Sequence, residues 1–220
     1  MKMRFLFVAI VISCFSPLQT VAQFHLPVEK GNFLPDSLIE IQQLDSTIKL
    51  DIRYATTNNF TGRKVYSEAR AFLQKEAALA LVTAHRSLQQ DGYGIIVFDG
   101  YRPWSVTKIF WELTTPEHRE FVADPAKGSR HNRGCAVDVT LYDLTTGKPL
   151  AMIGEYDEWS ERSYPDYKGG TEEQRRLRDL LRKRMEAAGF TVYPSEWWHF
   201  DYKNWERYRI QDKPFSELGR

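Results

Sequence analysis

Apolar positions along the chain fall into several distinct spacings. Ile48, Leu50, Ile52 and Tyr54 alternate with polar neighbours, which predicts a half-buried strand over Thr47–Tyr54. Asn58-Asn59-Phe60-Thr61-Gly62 reads as a loop. Within Gln74–Gln90, Ala77, Leu81, Ala84 and Leu88 recur at helical intervals, and Asp91-Gly92 closes that helix. Gly94–Phe98 is a short continuous apolar strand. Asp99-Gly100-Tyr101-Arg102 is a turn, and Pro103 opens a helix to about Leu113, in the first turn where proline is tolerated. Residues 115–130 predict a short helix and a loop, and Cys135–Leu141 the next strand. The polar stretch 144–170 is long enough to be a functional loop rather than a linker. A charged helix over Thr171–Ala188 stops at Gly189. Phe190–Tyr193 and Trp198–Tyr202 then form short strands flanking a Pro-Ser-Glu corner. Residues 23–37 show no clear period and read as an extended lead-in. Helices and strands do not alternate as βαβ units, so the expected class is α+β, with a mostly antiparallel sheet and flanking helices.

The 220 residues suit one domain, and 42% hydrophobic with 14% aromatic content is enough for a sizeable core. The N-terminus adds a separate expectation. Met1-Lys2-Met3-Arg4 is a positive start, Phe5–Phe15 is an apolar run too short to span a bilayer, and Thr20-Val21-Ala22 is a small-residue cleavage site. These predict an export signal over 1–22, a mature domain over 23–220 and a periplasmic location. Val11-Ile12-Ser13-Cys14 also looks like a bacterial lipobox that would anchor Cys14, but the apolar Phe15 and the better-placed cut after Ala22 favour release. Loss of Lys2 and Arg4 with the signal leaves 28 basic and 29 acidic residues. A near-neutral chain without a basic block gives no support for nucleic-acid binding. Only Cys135 remains after cleavage, so no internal disulfide forms.

Candidate chemistry concentrates in Ser129–Asp138 and Glu196–His199. Alternation places Ala136, Asp138 and Thr140 on one face of the Cys135–Leu141 strand, opposite an apolar row of Cys135, Val137, Val139 and Leu141. A carboxylate at mid-strand is costly unless it is paired with a cation or bound to one, so an arginine partner and a metal ion are both open readings for Asp138. His131 lies at an odd offset from Asp138, on the wrong face of an unbroken strand. Gly134 supplies the break that lets its loop fold back. His199 follows Glu196 by three, so Pro194-Ser195 must build a corner for both to point inward, with Trp197 and Trp198 packing around it.

Two imidazoles and a carboxylate with an open position describe a hydrolytic zinc site. Glu196 would then be the base that takes a proton from water and passes it to the leaving amine. The chain has no His-Glu-x-x-His helix, which excludes the common helical zinc-protease plan. His25, His85 and His118 lack comparable context, His85 sitting in a charged helix. Arg102 is fixed between Tyr101 and Pro103. It either stabilises a developing oxyanion, an effect often worth about 3 kcal/mol, or forms a buried ion pair with Asp99 or Asp138. Cys135 faces the core and reads as a small buried apolar residue rather than a nucleophile.

At these residues the chain resembles the D-alanyl-D-alanine dipeptidases of the VanX type, within the zinc D,D-peptidases that share a fold with the Hedgehog signalling domain. The matching segments are Ile52–Thr56 with Asn59–Gly62, Asp99–Pro103, Ser129–His131 to Gly134, Ala136–Asp138 and Glu196–His199, from about residue 50 to 202. The resemblance implies zinc on His131, Asp138 and His199, Glu196 as base and Arg102 at the transition state. It also implies an enclosed site for a small D,D-dipeptide, with Asp157 meeting the substrate ammonium group and Ser129 near the bound dipeptide. Glu155 or Glu158 could replace Asp157 in that role. Two departures stand out: Cys135 occupies a position expected to hold serine or alanine, and the Arg102–His131 segment is shorter, which reshapes the pocket rim. A D,D-carboxypeptidase or endopeptidase acting on peptidoglycan stem peptides is the first alternative. A non-catalytic zinc-stabilised binding module is the second.

Overall fold

Both faces of the strand that carries Asp138 are shut off from solvent, and the rest of the chain is arranged around that strand. The computed structural model describes residues 24–219; the expected export signal and Cys14 lie outside them. In chain order the elements are β1 (Leu38–Glu40), α1 (Ile41–Leu44), β2 (Lys49–Leu50), β3 (Phe72–Gln74), α2 (Lys75–Gln89), β4 (Tyr93–Asp99), α3 (Trp104–Leu113), β5 (Ala136–Asp143), α4 (Glu172–Ala187), β6 (Phe190–Tyr193) and β7 (Glu196–Tyr202). The main sheet has five strands in the order β2-β4-β5-β7-β6. Its β2–β4 pair is parallel and the other three are antiparallel. A two-stranded antiparallel ribbon joins β1 to β3. The class is α+β, as the pattern of elements predicts.

Hydrophobic spacing explains the helices. In α2, Ala77, Leu81, Ala84 and Leu88 are fully withdrawn from water and pack toward β4. In α4, Leu177, Leu181 and Met185 form one buried stripe against β6 and α2, while arginines and acids fill the other faces. Thr171 caps α4: its hydroxyl accepts the Gln174 N–H at 3.1 Å, and the Gln174 side chain accepts the Thr171 N–H at 2.9 Å. A reciprocal cap of this kind stabilises a helix start by about 1 kcal/mol. On β5, Val137, Val139 and Leu141 are wholly buried in the core, and so is Cys135 just before the strand.

Two elements differ from expectation. The alternating stretch Thr47–Tyr54 is a strand only at Lys49–Leu50, and Arg53–Ala55 is a single 3₁₀ turn. Asp51 N–H still bonds the Val97 carbonyl, but Arg53 then bonds the Asp51 carboxylate and Ala55 N–H turns back to the Ile52 carbonyl. Ile52 and Tyr54 are buried by that turn, not by a strand face. His85 lies in α2 as expected and is fully buried, its Nδ1 accepting the Ile95 N–H at 3.1 Å and its Nε2 meeting the Thr47 hydroxyl at 2.8 Å. Burial lowers its pKa, which keeps the ring neutral for that backbone bond. The β1–β3 ribbon is too short to show a period.

Gly134 ends the 3₁₀ turn His131–Arg133 in a left-handed conformation, φ +67°. A β-carbon there would collide with the Leu38 side chain. Gly134→Ala is expected to destabilise the protein by about 1–3 kcal/mol through backbone strain, with further loss from the collision. Urea unfolding measures this, and a variant as stable as the parent contradicts the assignment of the break to Gly134.

Candidate active site

Strand pairing sets one row of functional side chains across the middle of the sheet. Asp99 on β4 pairs with Asp138 on β5, and Asp138 pairs with His199 on β7. His131 reaches the same point from the 3₁₀ turn before β5. His131, Asp138 and His199 are all buried, and one ligand-type atom from each falls within a single small cluster.

The proton positions follow from the partners of the distal ring nitrogens. His131 Nδ1 lies 2.7 Å from the Gly100 carbonyl, which can only accept, so Nδ1 carries the hydrogen and Nε2 a lone pair. His199 Nε2 lies 3.0 Å from Asp201 Oδ1, so Nε2 carries the hydrogen and Nδ1 the lone pair. Those lone-pair nitrogens are 3.1 Å apart, and they stand 3.4 Å and 3.1 Å from Asp138 Oδ1. Asp138 Oδ1 is buried and accepts no hydrogen bond, while Oδ2 is held by the Tyr156 hydroxyl at 2.9 Å. Three lone pairs therefore converge at one buried point. That is repulsive unless a metal ion lies between them or His199, whose pKa, against the effect of burial, Asp201 and Asp138 raise well above the usual imidazole value, takes up a proton. Ligand atoms about 2 Å from one tetrahedral ion sit about 3.3 Å apart, so the spacing and the N/N/O donor set fit zinc.

Glu196 begins β7 and His199 follows on the same side. The hairpin carries a register shift between Val192 and Tyr193, and this irregularity lets both side chains reach the site. Glu196 Oε2 lies 3.4 Å from His199 Nδ1, and its side chain is 16% exposed. Burial pushes its carboxyl up to about 7, helped by Asp138 and opposed by His199 and Arg102. Arg102 forms the buried ion pair that the sequence offered as one of two readings, and it also faces the cavity. Its Nε and Nη2 grip Asp99 Oδ2 at 2.9 and 2.8 Å, Nη2 stands 3.9 Å from Asp138, and the guanidinium still lines the cavity. Asp99 is itself fixed by the Tyr66 hydroxyl and the Gly100 N–H.

The cavity has a volume of about 540 Å³, within the range of small-molecule sites. Asp157 lies in its wall, and the Tyr54 hydroxyl reaches both of its carboxylate oxygens at 3.0 and 3.2 Å. Asp157 adopts a left-handed φ of 58°, a conformation that aspartate tolerates better than most residues. Desolvation raises its pKa well above normal, reinforced by Asp138 and Glu196. Glu158 turns away to Ser160 and the Glu155 N–H, and Glu155 is exposed. Ser129 also lines the cavity, its Oγ accepting the His131 N–H at 3.2 Å. Trp198 forms part of the wall and Trp197 part of the core. Phe60, Phe121 and Trp159 crowd the opposite rim, where His118 stacks on Trp159 at 4.8 Å rather than approaching the histidine pair.

Sequence reasoning missed several residues that hold this arrangement. Fully buried Asn132 donates to the Arg102 carbonyl at 2.9 Å and to the Thr107 hydroxyl at 2.8 Å, and accepts the Ser129 N–H at 2.7 Å. Tyr156 and Asp201 are the others. Asp201 was open to discovery, since strand alternation puts it on the His199 face.

Metal-assisted amide hydrolysis with a carboxylate base is the chemistry these groups can perform together. Comparison with known proteins narrows that class. Residues 36–217 match the model of peptidase family M15, described as D-ala-D-ala dipeptidase, and the chain belongs to that family. It is 32% identical over 179 residues to the D-alanyl-D-alanine dipeptidase of Escherichia coli K12, covering 81% of this chain and 91% of that protein. It is 36% identical over 188 residues to the D-alanyl-D-alanine dipeptidase of Enterococcus faecalis V583, covering 77% of this chain and 89% of that protein. The solved LD-carboxypeptidase LdcB aligns over 80% of this chain and 72% of its own with a TM-score of 0.46 at 18% identity, too loosely to add to the argument.

The lone-pair cluster predicts tight uptake of zinc or cobalt by the dialysed protein. Asp138→Ala should weaken it by more than about 100-fold, beyond the loss expected for an outer-sphere partner. Chelator competition measures this; parent-like affinity in that variant would remove the site.

Proposed function

We propose that the chain is an exported zinc-dependent dipeptidase that hydrolyses D-alanyl-D-alanine and similar small D,D-dipeptides, in the turnover of cell-wall fragments outside the cytoplasm. The observation that carries the substrate class is Asp157. A desolvated carboxylate held by Tyr54, in the wall of a small cavity that also holds the His–Asp–His cluster, suits the free ammonium group of a short peptide. The names of the curated relatives point the same way.

His131, Asp138 and His199 would hold the zinc ion, which when bound supplies Lewis acidity for the scissile carbonyl and for water. Glu196, with its pKa near neutrality, accepts the proton of the attacking water and delivers it to the amine that departs. Arg102 keeps its charge because Asp99 pairs with it, and its cavity-facing edge receives the oxygen that becomes anionic. Ser129 already accepts a hydrogen bond from the backbone, so its own hydroxyl hydrogen is free to donate to the substrate carboxylate. Asp157 and Tyr54 orient the other end.

Glu196→Gln is expected to lower kcat by about 10²–10⁴-fold while leaving metal content intact. A variant that keeps parental kcat removes Glu196 from the chemistry. A substrate panel tests the rest: D-Ala-D-Ala, L-Ala-L-Ala and a pentapeptide ending in D-Ala-D-Ala, each with and without chelator. Preferential, chelator-sensitive cleavage of free D-Ala-D-Ala is expected; faster cleavage of the pentapeptide would make the enzyme a carboxypeptidase. Asp157→Asn should reduce kcat/KM for the free dipeptide by about 100-fold, the scale of a lost charge-assisted contact. Equal turnover by that variant would place the ammonium group elsewhere.

A further inference from the structure

We propose that Asp201 and Arg130 form an outer brace of the metal centre, which fixes the His199 tautomer and ties together the two segments that carry the histidine ligands. The inference rests on the zinc reading above and goes beyond it.

Asp201 lies two residues after His199 on β7 and so shares its face of the sheet. Each of its carboxylate oxygens has a separate partner. Oδ1 accepts from His199 Nε2 at 3.0 Å, and Oδ2 accepts from Arg130 Nη1 at 2.6 Å. Arg130 is the residue immediately before His131. Its guanidinium stacks over Trp205 at 4.7 Å and faces Tyr193 at 5.6 Å, while Tyr193 itself packs on the His199 ring at 5.0 Å. Its carbonyl accepts the Cys135 N–H at the entry to β5. One ion pair thus links the His131 turn to the His199 strand across 71 residues of sequence.

The chemistry follows from the acceptor. Without a carboxylate beside Nε2, the neutral ring is free to place its hydrogen on Nδ1, where it would block the lone pair that the cluster needs. An anionic acceptor fixes that choice, holds the ring plane and makes Nδ1 more basic. Arg130 keeps the carboxylate oriented by occupying its second oxygen. Asp201 is therefore a positioning residue that acts through His199.

The test compares Asp201→Ala, Asp201→Asn and Arg130→Gln with the parent. Zinc affinity is read by chelator competition, coordination by the visible spectrum of the cobalt form, and stability by thermal unfolding with and without metal. Asp201→Ala should lose about 10- to 100-fold in zinc affinity and shift the cobalt bands. Asp201→Asn keeps an acceptor but no charge and should fall between Asp201→Ala and the parent. Arg130→Gln alters only a partly exposed side chain and should show a smaller loss. The gap in melting temperature between zinc-loaded and metal-free protein should narrow in step. A purely structural ion pair would lower both melting temperatures together and leave that gap unchanged. Zinc affinities of Asp201→Asn and Arg130→Gln both within twofold of the parent overturn the proposal. A parent that binds no zinc instead overturns the reading on which it rests.

Discussion

The mutual repulsion of three electron pairs, drawn together in the wall of the cavity, is the constraint on which the rest of this molecule turns. Two imidazole nitrogens and a carboxylate oxygen face one another at 3.1 to 3.4 Å, each with its hydrogen, or its second oxygen, committed elsewhere. Acceptors left unpaired in such a cluster are costly to bury. The cost is met by surrounding structure. The Gly100 carbonyl, the Tyr156 hydroxyl and the Asp201 carboxylate each fix one member of the trio from behind.

Asp201 lies on a central strand and Gly100 directly after one, while Tyr156 comes from the 144–170 loop. Asp99, Asp138 and His199 occupy one row across β4, β5 and β7, the central strands of the sheet. The His131 turn is clamped by Asn132, which is bonded at once to the turn's own start, to Arg102 and to α3. Arg102 N–H bonds the His131 carbonyl at 3.1 Å, so the guanidinium and the first histidine share one backbone linkage. The less regular side of the cavity is the wall built from the 144–170 loop and the aromatic rim.

Much of this was legible in the chain, and the reason is periodicity. Strict alternation in β5 separated Asp138 from its apolar row, and glycine at 134 announced that His131 leaves the strand. Proline and serine at 194–195 marked the hairpin turn before Glu196, but the irregularity that brings Glu196 and His199 to one side lies within the strand pairing. The helices were equally open to reading because their buried stripes are regular. What stayed hidden has no local signature. Ile52 and Tyr54 alternate like strand residues but are buried by a 3₁₀ turn, because burial and not backbone conformation is what the pattern reports. The partners of Asn132, Tyr156 and Asp201 lie far along the sequence or depend on which way a loop turns. The role of His85 was equally hidden, because its backbone partner, Ile95, belongs to another element.

The strand order carries one more consequence. The sheet is bounded by β2, two residues long, and by β6, four residues long and closed off by Gly189 and Pro194. A margin so brief presents few free amide and carbonyl groups in line. Neighbouring molecules therefore find little template for adding a strand, and the sheet is guarded against aggregation by its outline. The longest strands, which would be the most adhesive, are confined to the interior, where they also carry the reactive groups.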